Sequence, residues 1–170
     1  EICACLVGSE MCIRDSFCAM LVLTMSLNTV NAQAGALDYL GHTIDGSELT
    51  NEMESIGNYQ SVARSTYLHQ GFVRITNNGG GYVGIGAGTE CNVTCGTVKL
   101  NVYLERSSGS EDFYSYKKWE NVDYNTSSLY LNQQVKVEKG YYYRLRGYHS
   151  CTKNGVLENG ASRTDGIYIG

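Results

Sequence analysis

Short runs in which apolar and polar residues alternate fill the chain from residue 64 to residue 170. In the run CGTVKLNVYLER, one strand face carries Val98, Leu100, Val102 and Leu104, and the other carries Thr97, Lys99, Asn101 and Tyr103. Turns rich in Gly, Asn and Ser separate about seven such runs. The pattern predicts an all-β fold over residues 64–170, an antiparallel β-sandwich of about seven strands like an immunoglobulin or fibronectin-III domain.

The run YYYRLRGYHSC predicts one strand with an inward face. We assign Tyr141, Tyr143, Leu145, His149 and Cys151 to that face by strict alternation. Tyr141 follows a Lys-Gly turn and opens the strand, as the tyrosine of a tyrosine corner does. An ordinary tyrosine at a sheet edge is the alternative.

The opposite face of the same run is rich in tyrosine and arginine, side chains that are enriched in binding surfaces because they offer large contact areas at low entropic cost. The candidate ligand-binding residues are Tyr142, Arg144, Arg146 and Tyr148, with Tyr114 and Tyr116 on a possible neighbouring strand. Tyrosine is also a favoured strand residue, and simple coverage of a sheet face is the alternative. Alternation around Trp119 would also bury Lys117, so we expect a β-bulge there.

Residues 35–63 have a different texture. They are polar and mildly acidic, and their scattered apolar residues follow no sustained period. We expect a flexible leader with at most a helical turn over residues 48–55.

The segment 17–34 resembles a truncated signal peptide. The apolar run FCAMLVLTMSL has the length of a signal core and is too short to span a bilayer. Ala32-Gln33-Ala34 follows as a cleavage site, which predicts export and a mature chain from about Gly35. A buried helix is the alternative.

Residues 1–16 have a different origin. The stretch LVGSEMCIRDS can be back-translated, base for base, into a transposase library adapter used in short-read sequencing, so residues 1–16 resemble translated adapter and are excluded from fold reasoning.

Charge argues against nucleic acid as a partner, and the distribution of apolar residues argues against stable membrane insertion. Of 13 basic and 17 acidic residues, Arg14, Glu1, Glu10 and Asp15 lie in the adapter-like stretch, which leaves 12 basic and 14 acidic residues. This near balance gives no basic surface for nucleic acid. No second apolar span follows the signal, and we expect no stable membrane insertion after its removal.

Three cysteines remain beyond residue 34, namely Cys91, Cys95 and Cys151. In an oxidising compartment, one disulfide and one free thiol are expected. Cys91 and Cys95 are too far apart in an extended strand to pair, so we expect one of them to pair with Cys151, with Cys95–Cys151 preferred. A cysteine nucleophile assisted by His149 is the alternative.

No motif for a cofactor or metal has the context that it needs. GGGYVG matches a dinucleotide fingerprint in form, but a strand-like segment follows it instead of a helix. The three histidines are far apart, and there is no C-x-x-C pair. We therefore predict no cofactor, no metal and no catalytic residues.

Four segments of the chain resemble a family of small secreted proteins from Gram-positive gut bacteria, which is described as a domain of unknown function. These segments are YLERSSGSEDFYSYKKWENV, VEKGYYYRLRGYHSCTKNGV, TDGIYIG and IDGSELT. The resemblance implies export, one small β domain and a disordered leader, and it transfers no active residues. The leading hypothesis is a secreted, non-enzymatic binding module for an extracellular glycan, surface polymer or protein. A secreted antagonist, such as a bacteriocin-like or inhibitor protein, is the alternative, and a secreted hydrolase is the weakest reading.

Overall fold

The computed structural model of the chain describes residues 35–60 and 65–170. The segments predicted as adapter (1–16) and as signal peptide (17–34) lie outside the described residues. Within the described ranges, no helix is long and apolar enough to cross a membrane.

A short 3-10 helix and nine strands make up the described part of the chain. The 3-10 helix is Ala36–Tyr39, and the strands are β1 (Thr43–Ile44), β2 (Ser47–Thr50), β3 (Glu54–Gln60), β4 (Leu68–Asn77), β5 (Tyr82–Ser107), β6 (Tyr114–Lys136), β7 (Tyr141–Lys153), β8 (Val156–Arg163) and β9 (Gly166–Ile169). They join in one curled sheet of order β1-β2-β9-β7-β5-β4-β3, in which β6 also pairs with β5 and β8 also pairs with β7.

The all-β prediction is confirmed, but its finer form is not. The β2–β9 pairing is parallel, so the sheet is mixed and the prediction of a purely antiparallel fold is wrong. Strand order shows one continuous hydrogen-bonded sheet of nine strands, and an immunoglobulin-like pair of sheets is not confirmed.

The segment predicted as a flexible leader contains three strands. Its β1, β2 and β3 join the sheet, so the prediction of flexibility does not hold for residues 43–60, and neither does the helical turn at 48–55. In β3 the small or polar residues face inward and the apolar residue faces outward: Ser55 and Gly57 are buried, while Ile56 is 53% exposed. A small or polar inward face carries no hydrophobic period for sequence analysis to detect.

The core follows the predicted alternation of β5. Val98, Leu100, Val102 and Leu104 are each fully buried. The long strand β5 pairs with β4 through its first half and with β7 through its second half. It therefore connects the two sides of the curled sheet, and its apolar face lines the interior.

Glycines allow the two sides of the sheet to approach closely. A Cβ atom at Gly71 in β4 would overlap the His149 ring in β7, and one at Gly57 in β3 would overlap the backbone of Arg163 in β8. These positions need glycine because a neighbouring side chain or backbone fills the space of a Cβ.

The tyrosine corner predicted at Tyr141 is not confirmed, and the nearby Tyr143 makes a hydrogen bond back to the preceding turn instead. Tyr143 is fully buried, and its hydroxyl donates to the carbonyl oxygen of Glu138 at 2.8 Å. A bond of this kind also occurs at the tyrosine corner of immunoglobulin-like domains, but here it lies in a single curled sheet. Tyr141 is half-buried, and the guanidinium carbon of Arg106 lies 4.7 Å above the centroid of the Tyr141 ring.

Candidate functional site

The structure divides the predicted stripe on β7 into a buried half and an exposed half. Tyr142 is 0% exposed and Arg144 is 1% exposed, so their predicted outward positions are wrong. Arg146 and Tyr148 are 38% and 43% exposed and face solvent as predicted.

Residues 36–47, which we call the N-terminal segment of the described domain, cover the buried half of the stripe. The Tyr142 hydroxyl donates to the carbonyl oxygen of Ala36 at 2.8 Å. The Arg144 guanidinium donates to Ser47 Oγ at 2.9 Å and to the Asp45 carboxylate, and it lies 4.1 Å from the centroid of the Phe113 ring. The first half of β7 is thus covered on both faces, and alternation no longer distinguishes inside from outside there.

Glu105 joins the buried and exposed arginines. This carboxylate is 2% exposed and accepts from Arg144 Nε at 2.8 Å and from Arg146 Nη2 at 2.6 Å. The hydrogen bond and charge of Arg144, together with the charges of Arg163 and Arg146, hold the pKa of Asp45 below its ordinary value. Arg144 is therefore a structural cation, while Arg146 is held in place at the surface.

An exposed aromatic cluster forms around Tyr148. The Tyr103 and Tyr148 rings meet edge to face with centroids 5.7 Å apart. The Arg146 guanidinium lies 5.8 Å from the Tyr103 centroid and 5.5 Å from the Tyr148 centroid. Because β5 and β7 pair with Tyr103 opposite Arg146 and Asn101 opposite Tyr148, the outward faces of both strands form one surface.

A groove of about 490 Å³ adjoins this cluster. Amide, ammonium and hydroxyl groups line the groove together with the aromatic ring of Tyr148 and the aliphatic side chain of Leu157. The polar groups belong to Lys99, Asn101, Ser150 and Asn159. We call this groove, with Tyr103 and Arg146, the Tyr148 surface. Sequence analysis had placed Lys99, Asn101 and Tyr103 on one outward face, which was the signal for this surface, but it had not paired that face with β7.

His149 lies beneath the groove as a buried, neutral residue. Its Nδ1 lies 2.9 Å from Thr89 Oγ1 and its Nε2 lies 2.7 Å from Ser162 Oγ. Burial lowers the pKa of His149 to about 4. Since both ring nitrogens have hydroxyl partners, the imidazole connects β7 to β5 and β8.

Tyr114 and Tyr116 do not share a face. A register shift in β6 places Ser115 opposite Glu105 and Lys117 opposite Leu104, close to the bulge predicted near Trp119. Tyr114 is 57% exposed and lines a separate cleft with Tyr39 and Asp112. Tyr116 instead packs edge to face on Tyr143, with centroids 5.6 Å apart. Neither tyrosine lines the groove of the Tyr148 surface.

The three cysteines meet at one place. Cys91, Cys95 and Cys151 are free thiols whose Sγ atoms all lie within 4.8 Å of one another. Cys91 and Cys95 are not held apart by an extended strand, because the register of β5 shifts between Glu90 and Cys95. Burial raises the pKa of Cys91 to about 11 and also raises that of Cys151. Raised pKa values disfavour thiolate nucleophiles at either position.

One family model matches residues 36–166, and it is described as a family of unknown function (DUF6147). The match begins within the 3-10 helix and ends in β9, so it includes the strands that sequence analysis had assigned to a leader. A comparison with curated proteins finds no match.

Proposed function

The chain belongs to this family of unknown function, and we propose that it is a secreted, non-enzymatic binding module that engages an extracellular glycan through the Tyr148 surface. The observation that carries the proposal is the meeting of Tyr103, Arg146 and Tyr148 with the adjoining polar groove. The export part of the proposal depends on the signal-like segment 17–34.

The chemistry of the Tyr148 surface suits a sugar. An aromatic ring offers an apolar face to the C–H side of a pyranose, and a tyrosine hydroxyl adds a polar contact. Asn101 and Asn159 line the groove with amides, which both donate and accept hydrogen bonds, as sugar hydroxyls do. The groove volume lies within the range of about 300–1,000 Å³ that is typical of ligand sites.

The surface is also preorganised. Its residues lie on the paired strands β5, β7 and β8. Arg146 is further held by the buried carboxylate of Glu105. A site on rigid strands loses little conformational entropy on binding, so a modest contact area can give useful affinity.

The ligand class can be tested by retention on insoluble cell-wall and mucin preparations. We expect residues 35–170 to be retained, and retention to survive protease treatment of the preparation but not periodate oxidation of its sugars. Tyr148→Ser should reduce the retained fraction. Retention abolished by protease and unaffected by periodate would identify a protein ligand instead, and absence of retention on both preparations would contradict the proposal.

Export is tested separately by the intact mass of the secreted protein under non-reducing conditions. We expect a chain that begins near Gly35. The same mass reports whether a disulfide is present, because a cystine has two hydrogens fewer than two thiols, and non-reducing peptide mapping then shows whether it joins Cys95 to Cys151. A secreted chain that retains residues 17–34 would contradict the proposed signal peptide.

A further inference from the structure

We propose that Cys91, Cys95 and Cys151, in their reduced state, form a three-thiolate site for a soft monovalent cation, with Cu(I) as the best fit. The site is independent of the Tyr148 surface. Sequence spacing did not indicate it, because the third ligand comes from β7, far along the chain.

Two features of the fold bring the sulfurs together. The irregular stretch of β5 between Glu90 and Cys95 turns both of its cysteines toward one point. The pairing of β5 with β7 places Cys151 opposite Val98, and so brings it close to Cys95. The result is a triangle of sulfur atoms with no side longer than 4.8 Å.

The dimensions of this triangle suit a metal. A cation about 2.3 Å from each of three sulfurs in a plane holds those sulfurs about 4.0 Å apart. The triangle therefore needs to contract by less than about 1 Å to reach that bond length. Side-chain rotation is enough for such a change, and the strands need not separate.

The ligand set favours three-coordination. Among the described residues, these cysteines are the one group of histidine, cysteine and carboxylate side chains close enough to hold a metal. The carboxylate on the adjacent strand, Glu158, is already occupied: it accepts from Ser65 Oγ at 2.7 Å and from the amides of Tyr67 and Leu68 at 2.8 and 2.7 Å. Soft thiolates bind Cu(I), zinc and iron–sulfur clusters. Structural zinc sites are almost always four-coordinate and iron–sulfur clusters are held by four cysteines, so a site of three sulfurs without a fourth ligand in the described part of the chain favours Cu(I).

The surroundings protect such a site and leave one entry. Cys95 and Cys151 are each 1% exposed and pack with Leu68 and Val98, whereas Cys91 is only half-buried. The cation would enter past Cys91, and the thiol protons would leave to solvent as the metal–sulfur bonds form, with no change in oxidation state. Lys153 Nζ donates to the carbonyl oxygen of Thr94 at 2.7 Å, which places a positive charge beside the segment that carries Cys95.

The metal site and the predicted disulfide exclude each other. A Cys95–Cys151 cystine would leave Cys91 as the single remaining thiolate, which cannot form the site. Oxidised protein is therefore a built-in control for every binding measurement.

The test uses residues 35–170, a compact unit that contains all nine strands and both core clusters. Protein reduced and handled without oxygen is titrated with Cu(I) in competition with a chromophoric Cu(I) chelator. We expect one Cu(I) per chain, sulfur-only coordination by X-ray absorption, and no uptake by the oxidised protein.

Variants define the ligands. Cys91→Ser, which changes the most accessible ligand, should weaken Cu(I) binding by more than the roughly 10–100-fold that is typical of a second-shell change. Val93→Ser, at an exposed position in the same segment, should bind as the parent does, and circular dichroism should show all variants folded. Failure of the reduced protein to compete with the chelator, unchanged affinity in Cys91→Ser, or tighter binding of Zn(II) with an oxygen ligand would each overturn the proposal.

Discussion

Arg144 and Glu105 form a buried ion pair between neighbouring strands, with Arg144 Nε 2.8 Å from Glu105 Oε2 and neither side chain more than 2% exposed. Asp45 and Arg146 extend the pair at either end toward solvent. Because the charges are removed from water, each depends on its partners for compensation. The pair holds the Arg144 guanidinium in place, and its hydrogen bonds to Asp45 and Ser47 fix how residues 45–47 lie against β7.

Removing one member of this pair should be strongly destabilising. We expect Glu105→Leu or Arg144→Met to lower the free energy of unfolding by about 3–5 kcal/mol, because each change leaves a buried charge without its main partner. The double variant should lose much less than the sum of the two single losses. Urea unfolding of the four proteins measures this coupling, and additive losses would show that the two residues act independently.

Asp45 should make the free energy of unfolding depend on pH in the acid range. Its folded-state pKa lies below 3.8, mainly because of the hydrogen bond and charge of Arg144. The unfolded chain therefore takes up the proton first, so the stabilisation is present above pH 3.8 and is lost as the pH falls through the lower, folded-state pKa. We expect Asp45→Asn to be less stable than the parent at pH 7, with a difference that shrinks in strong acid.

A matched control for Asp45 is Asp123→Asn. Asp123 is exposed and forms no ion pair among residues 35–60 and 65–170. It should change stability little at either pH. A stability difference for Asp45→Asn that is the same at neutral and acid pH would show that its carboxylate charge is not responsible.

The close approach at Gly71 should tolerate no added methyl group. A Cβ there would overlap the His149 ring, which hydroxyl groups hold on both sides. We expect Gly71→Ala to lose about 1–3 kcal/mol of stability, as overpacked cores do. Gly86→Ala is the control, since its Cβ would lie 3.6 Å from the nearest atom of Asn132; it should stay within about 1 kcal/mol of the parent. Equal effects at both positions in thermal unfolding would contradict the proposed overlap.

The sequence was informative wherever one strand face alone is buried. The alternation of Val98 to Leu104 identified the core face of β5 because the residues between them on the other face, Lys99, Asn101 and Tyr103, are exposed or only half-buried. The same reasoning failed at Tyr142 and Arg144, which lie where a second layer covers β7. That layer includes Asp45, which is 99 positions away from Arg144, and no local pattern reports so distant a partner.

Two further features depend on tertiary structure. β3 has a serine and a glycine facing inward because β8 and the following turn approach it closely, so its sequence has no hydrophobic period. The thiol cluster requires both the register shift after Glu90 and the pairing of β5 with β7. Sequence analysis identified the chemical groups in each case, but only the fold determines which of them meet.

The central claim is that the exposed half of the β7 stripe binds a glycan while the buried half is structural. Isothermal titration of parent and variant proteins with soluble polysaccharide, released from the preparation that retains the protein, tests it most directly. Tyr103→Ser combined with Tyr148→Ser should weaken binding at least about tenfold, or about 1.4 kcal/mol, while Tyr124→Ser combined with Tyr130→Ser, at exposed positions on β6, should bind as the parent does. Unchanged affinity in the first pair, or equal losses in both pairs of folded variants, would contradict the account.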